Sequence, residues 1–264
     1  MPRPTVRDIN DFLADLSPNS YPEEGILFGD PEWEVTGVLV CWMPGVEALR
    51  AARREGSNVV VFHEIPFFGI VPDGNYEGVY HWEANQRRKD ELQEGGIALI
   101  RCHRTMDDYC VPDVFQDMLD FPTPVVVEEM AGHTAVRIFE IEPSSVRELA
   151  ERWKPAVAMD TVRVFAPDPD RIVRRAGLCW GGIGLHSNMG VMTRLVELGA
   201  EVLVGGETEE YTAEFCRDCG VDFIELGHLT SEQPGMLVAA DVLAKQYSEL
   251  EIHRFEQTPP WRFM

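Results

Sequence analysis

Lysine is almost missing from this chain: Lys89, Lys154 and Lys245 are the only three in 264 residues. Lysine and arginine together number 23 against 45 aspartates and glutamates, a formal net charge of −22. Binding to nucleic acid requires clustered basic side chains that neutralise phosphates. Here the basic runs Arg53-Arg54, Arg87 to Lys89 and Arg174-Arg175 are short and separated, so the charge argues against a nucleic-acid partner. An acidic balance instead favours solubility and concentrates cations near the surface. Long apolar runs are also missing. No stretch approaches the ~20 residues a membrane-spanning helix needs, so no membrane partner is expected. The opening residues, MPRPTVRDINDFLADL, have no apolar core of signal-peptide type and carry Asp8, Asp11 and Asp15, which predicts a cytoplasmic location. Cysteine is sparse too. Six in a chain this long make no disulfide framework. Cys216 and Cys219 form a CxxC with no second pair to complete a four-ligand zinc site, and they are read as ordinary reduced cysteines on a helix.

What is present is ordinary globular composition, 45% apolar and 26% charged, in which strands alternate with helices. Buried strands are predicted over 36–41, 59–62 and 97–102, with further strands near 124–128, 134–141, 161–165, 172–179, 201–204 and 221–226. Helices are predicted near 5–16, between Pro44 and Gly56, and over 83–94, 145–153, 189–198, 208–218 and 234–249. Ser145 and Glu148 have the spacing of a capping box. The alternation predicts an α/β fold with mixed, largely parallel sheets flanked by helices. Segments 38–64 and 202–228 share one layout: Val-Leu-Val, a turn, a helix ending at Gly56 or Gly220, and a second strand stopping at His63 or His228. The distances from first valine to histidine, 25 and 26 residues, point to a duplicated βαβ unit.

Three apolar strands end in histidine with an acid close behind: His63-Glu64, His103 with Asp107, and His228 with Glu232. Parallel strands deliver their C-terminal ends to one sheet edge, where open α/β proteins place their ligands. A lone histidine there is usually a hydrogen-bonded surface residue, and a lone acid a cap or solvated charge. Three repetitions of the same arrangement favour a metal site. Imidazole and carboxylate without thiolate suit Zn²⁺, Mn²⁺, Fe²⁺ or Co²⁺. Six donors exceed one open tetrahedral site and would serve two ions about 3.5–4 Å apart. Glu207, after Gly205-Gly206, is a candidate general base or a partner that orients a ligand, and equally a charge at the start of a helix. Gly181, Gly182 and Gly184 are candidates to bring backbone amides to an anionic substrate, or simply form a tight turn before a helix capped by Asn188. His186 beside them is a weak candidate for substrate contact.

The stretches VVVFHEIPFF (59–68), HRTMD (103–107), LCWGGIG (178–184), ELGAEVLVGGE (197–207) and ELGHLTSEQPG (225–235) resemble, in order and over nearly the whole chain, the Nif-three-like proteins, also called GTP cyclohydrolase 1 type 2 homologues. That resemblance implies two intertwined βαβ-containing repeats, here an N-terminal one over 1–122 and a C-terminal one over 123–264 that share one metal site. It also implies a dinuclear centre and a homo-oligomer, a hexameric ring. By position His63, Asp107, His228 and Glu232 match its ligands, and His103 its associated motif histidine. Glu64 departs from the consecutive histidines usual there, yet offers a carboxylate in their place. The function expected is a metal-dependent hydrolase acting on a small molecule such as a nucleotide or phosphoester. His63, Glu64, His103, Asp107, His228 and Glu232 would be its metal ligands, with His103 alternatively a proton carrier and Glu207 a base. The alternative is a metal-binding scaffold or regulatory partner without turnover.

Overall fold

The computed structural model describes residues 3–69, 76–130, 133–261 and 264. The chain divides into two compact units, Met1–Cys110 with Met236–Gln257, and Val111–Gly235 with Thr258–Met264. Units defined by packing thus break at 110/111, whereas the repeats read from the sequence break at 122/123. None of the described helices is long and apolar enough to cross a membrane.

The first unit contains α1 (Val6–Ala14), β1 (Gly25–Phe28), β2 (Gly37–Cys41), α2 (Val46–Arg54), β3 (Val59–Phe62), α3 (Glu83–Gly95), β4 (Ala98–Arg101) and α4 (Arg104–Tyr109). Its sheet has the order β1-β4-β3-β2 and then β11 (Glu251–Phe255), with every pairing parallel except β1 against β4. Every residue of β2, β3 and β4 is buried, as strands covered on both faces require. Helix α2 turns Ala48, Leu49, Ala51 and Ala52 inward. Its outward Arg50 and Arg53 bind Glu91 of α3 at 2.6 and 2.7 Å.

The second unit contains α5 (Val111–Met118), β5 (Val126–Met130), β6 (His133–Ser145), α6 (Val146–Trp153), β7 (Arg163–Phe165), β8 (Ile172–Cys179), α7 (Met189–Glu197), β9 (Val202–Gly205), α8 (Glu210–Cys219) and β10 (Asp222–Glu225). Helix α9 (His228–Gln246) then carries the chain back to the residues of the first unit. The sheet order is β5-β6-β8-β9-β10-β7. A parallel centre, β8-β9-β10, is flanked by antiparallel strands. Both expected βαβ units exist: β2 pairs β3 and β9 pairs β10, each in parallel across one helix.

The structure adds β1, β11, α4 and α5, which the sequence left unassigned, and it begins α9 at His228 rather than near 234. Pro234 reads as a helix start, because proline suits a first turn. It lies instead inside the helix, where it withholds the amide that would meet the carbonyl four residues earlier. The predicted CxxC falls on α8, with Cys216 buried and Cys219 exposed, both as free thiols.

The capping box forms as predicted. Ser145 accepts the Glu148 amide at 3.2 Å, and Glu148 accepts the Ser145 amide at 2.8 Å. Ser145→Ala should therefore cost about 1 kcal/mol, seen in urea unfolding as a lower midpoint at unchanged slope. A change below about 0.3 kcal/mol would show that the cap contributes little.

Candidate metal centre

In the first unit the site grows out of strand register. Phe62 of β3 pairs with Arg101 of β4, so the residues just past each strand end, His63 and His103, come together. Their rings meet edge to face, with centroids 4.6 Å apart at 88°. The amides of His63 and Glu64 both donate to the Trp42 carbonyl, at 3.0 and 2.9 Å, and this bends the chain sharply after β3. His103 stands at the start of α4, and Asp107 lies one turn further on the same face. The Asp107 carboxylate faces both rings: Oδ1 is 3.2 Å from His63 Nε2, and Oδ2 is 3.8 Å from His103 Nε2. His63 Nδ1 is 3.7 Å from Glu64 Oε1. His63, Glu64 and His103 each present a ligand atom within 4.8 Å of the others.

Burial lowers the pKa of His103 to about 4, and the neighbouring His63 and Arg101 push the same way against Asp107 and Glu64. His103 is therefore neutral at pH 7. Arg101 places its guanidinium between the two strand ends, 3.1 Å from the His63 carbonyl through Nε and 3.1 Å from His103 Nδ1 through Nη2. The short helix α4 takes its N-terminal support from a distant residue. Glu24 accepts from the Thr105 amide at 3.2 Å and its hydroxyl at 2.7 Å. Burial raises the Glu24 carboxyl despite these bonds. Asp108, next to Asp107, accepts from Ser17 at 2.6 Å, Asn19 at 3.0 Å and Tyr21 at 2.5 Å.

In the second unit Gly205 of β9 pairs with Glu225 of β10, which sets Glu207 and His228 side by side past the strand ends. Glu207 Oε2 is 3.0 Å from His228 Nδ1, and Glu232 Oε2, one helical turn after the histidine, is 3.0 Å from Nε2. The imidazole is thus held between two carboxylates, an exposed one at Nδ1 and a buried one at Nε2. The Gly-rich turn serves close packing here. Gly181 has φ +55°, and a Cβ at that position would overlap the Glu232 carboxylate. Its amide donates to Ser231 Oγ at 2.9 Å, so it is already committed within the protein. Asn188 does stand at the start of α7, but its side chain donates to the Gly182 carbonyl at 2.8 Å and makes no cap bond. His186 packs its ring against Tyr211, 4.7 Å between centroids.

Each unit therefore gathers its own share of the predicted residues: His63, Glu64, His103 and Asp107 in the first, Glu207, His228 and Glu232 in the second. The donors are imidazoles and carboxylates, while the neighbouring Cys102 thiol is pushed well up by burial and is no thiolate. Asp107 and Glu232 are 6% and 4% exposed. Buried carboxylates of this kind are compensated by cationic charge, so the residues fit a divalent ion of borderline or hard character. Arg101, Glu24 and Asp108 were missed in the sequence. Arg101 reads there as the end of a strand, and Glu24 and Asp108 lie in stretches to which no element was assigned.

The family described as Duf34/NIF3 (NGG1p interacting factor 3) matches residues 4–260. A GTP cyclohydrolase 1 type 2 homolog of Pseudomonas aeruginosa is 25% identical, covering 77% of this chain and 83% of its own. One from Clostridium perfringens is 20% identical over 98% of this chain and 99% of its own. Among solved structures, a Bacillus cereus protein related to NIF3 superposes with a TM-score of 0.80 at 14% identity, covering 100% of both chains.

A histidine whose pKa is lower folded than unfolded stabilises the fold above its unfolded pKa, and that stability is lost as pH falls. For His103 the window runs from about 6.5 down to about 4. Metal-free protein should lose up to about 3 kcal/mol across it, and His103→Asn should flatten the loss in thermal unfolding measured against pH. An unchanged slope in the variant would assign the acid sensitivity to other groups.

Proposed function

The chain belongs to the Duf34/NIF3 family, and we propose that it is a metal-dependent hydrolase-type protein whose two clusters each hold one divalent ion. The observation that carries this reading is a repeated one. Each unit sets a strand-end histidine against a buried carboxylate four residues later on the same helix face. His63, Glu64, His103 and Asp107 would hold the ion of the first unit, and His228 with Glu232 that of the second. Zinc, manganese, iron and cobalt all accept such donors.

Divalent ions so held lower the pKa of water and polarise phosphoryl or carbonyl oxygens. The protein's own part is to fix the donors. Glu207 accepts the Nδ1 proton of His228, which turns the Nε2 lone pair toward Glu232; a carboxylate in this role raises ligand basicity and fixes the tautomer. Glu207, half exposed, would also serve as the base that takes a proton from a bound substrate or water. A nucleotide or phosphoester is the substrate class we assign, and the name carried by the curated relatives makes purine nucleotides the first to try. A cytoplasmic homo-oligomer, the hexameric ring implied by the family likeness, completes the reading. The description of the family as an interacting factor favours a second one, a metal-binding scaffold or regulatory partner without turnover.

Elemental analysis after reconstitution with Mn²⁺, Zn²⁺ or Fe²⁺ tests the metal reading. About two ions per chain are expected, one lost in His63→Ala and one in His228→Ala. Trace metal in wild type and variants alike would end it. Glu207→Gln separates the two functional readings. In a hydrolase, turnover falls at least about 100-fold while metal affinity drops about 10-fold. In a scaffold there is no turnover to lose, and assembly or partner binding changes instead.

A further inference from the structure

We infer that the first unit carries a second binding site, a polar chamber beside β4 and α4 that takes a zwitterion of the free amino-acid type. The ligand's carboxylate would rest on Arg101 and its ammonium on Glu24. Neither residue is one of the proposed metal ligands, so the inference does not depend on the metal reading.

The chamber has a volume of about 390 Å³, inside the ~300–1,000 Å³ range of small-molecule sites. Its lining comes from the end of α1, from segment 15–25, and from Arg101, Cys102 and Thr105. Segment 15–25 is held in place as a wall. Asp108 of α4 accepts from Ser17, Asn19 and Tyr21 at 2.6, 3.0 and 2.5 Å, and both Glu24 oxygens accept from Thr105. Walls already fixed in this way cost little further ordering when a ligand arrives.

Two opposite charges line this chamber without meeting. The Arg101 guanidinium commits Nε to the His63 carbonyl and Nη2 to His103 Nδ1, each at 3.1 Å. Its Nη1, with two N–H donors, has no partner among the described residues. Arg101 is only 9% exposed, and no described carboxylate pairs with it. A guanidinium keeps its charge even when buried, so the remaining donors call for an anionic acceptor. Glu24 is the converse case. It accepts from the Thr105 amide and hydroxyl, which are neutral donors, and burial raises its pKa in spite of them. The cation lacks an anion and the anion lacks a cation, although both belong to one chamber.

The ligand chemistry follows. A plain anion would suit Arg101 but would also meet Glu24 and Asp15, and a plain cation would suit those carboxyls but would also meet Arg101. A molecule that bears both charges a few bonds apart answers both, through charge-assisted hydrogen bonds roughly twice as strong as neutral ones. An α-amino acid is the simplest such molecule. The remaining wall, which includes Asn10, Ser17, Asn19 and Ser20, is polar and suits a short polar side chain.

Calorimetric titration of the metal-free chain with L-serine, acetate and methylammonium in turn provides the test. L-Serine is expected to bind saturably, at least about tenfold more tightly than either single-charge ion. Arg101→Met and Glu24→Gln should each weaken L-serine at least about tenfold. Ala14→Phe, at the exposed end of α1, crowds the chamber while leaving both charges in place. It should abolish L-serine binding in a chain that unfolds at the wild-type midpoint. If L-serine binds no more tightly than acetate or methylammonium, or binds Ala14→Phe as it binds wild type, the inference is overturned. Because no metal is present in the titration, its failure leaves the metal reading standing, and a chain that takes up no metal leaves this site standing.

Discussion

A carboxylate taken out of water must be met by positive charge or by hydrogen-bond donors, and this constraint governs both clusters. Asp107 and Glu232 are each nearly inaccessible, and each is placed four residues after a histidine on a helix face. The spacing is what an α-helix offers for contact between neighbouring side chains. An unmet buried carboxylate would lose several kcal/mol of hydration or take up a proton. Imidazoles alone compensate weakly when neutral, and the His103 ring is held neutral by the same burial. A divalent cation is the kind of charge that would meet such carboxylates, and by binding the folded chain it would stabilise it.

Strand register delivers the donors to that condition. β3 and β4 run parallel with Phe62 opposite Arg101, and β9 and β10 run parallel with Gly205 opposite Glu225. In each pair the residues beyond the paired ends project from one sheet edge, so neighbours in space arise from stretches about 40 and about 20 residues apart in sequence, the reach of a βαβ crossover. The buried, mostly aliphatic strands supply rigidity, and the edge supplies the chemistry. The Gly181 turn contributes in the same sense. Only a residue without a Cβ leaves room for Glu232 to stand where it does.

The strongly periodic parts of this layout were legible in sequence. Unbroken apolar runs gave β2, β3, β4 and β9, and the serine–glutamate spacing gave α6, because each signal is local. The segments that escaped have weak local signals. β11, Glu-Ile-His-Arg-Phe, has two apolar residues in five positions and no clean alternation, and it gains its place by pairing with β2, some two hundred residues away. α4 is six residues long, too short to be marked by periodicity, and Glu24 supports it from outside its own segment. The beginning of α9 was hidden by Pro234, and with it the fact that His228 and Glu232 share a helical face. The seven candidate residues could be named from strand ends, but Arg101 could not. Its role is defined by where its guanidinium points, and a strand sequence does not say that.

Glu64 and Arg101 are best understood together. Glu64 follows His63 directly and sets a carboxylate oxygen 3.7 Å from its Nδ1. Added to Asp107, it gives the first cluster two carboxylates, a harder and more negative donor set than imidazoles alone would make. Glu64 is 18% exposed and keeps part of its hydration, unlike Asp107 at 6%. Arg101 lies against the backbone of His63, next in sequence to Glu64, and brings a permanent positive charge to the same place. The guanidinium thus adds positive charge beside the acidic cluster while it contacts His103 Nδ1 at 3.1 Å. A donor set in which carboxylates join imidazole suits divalent ions from the borderline to the hard end of the series.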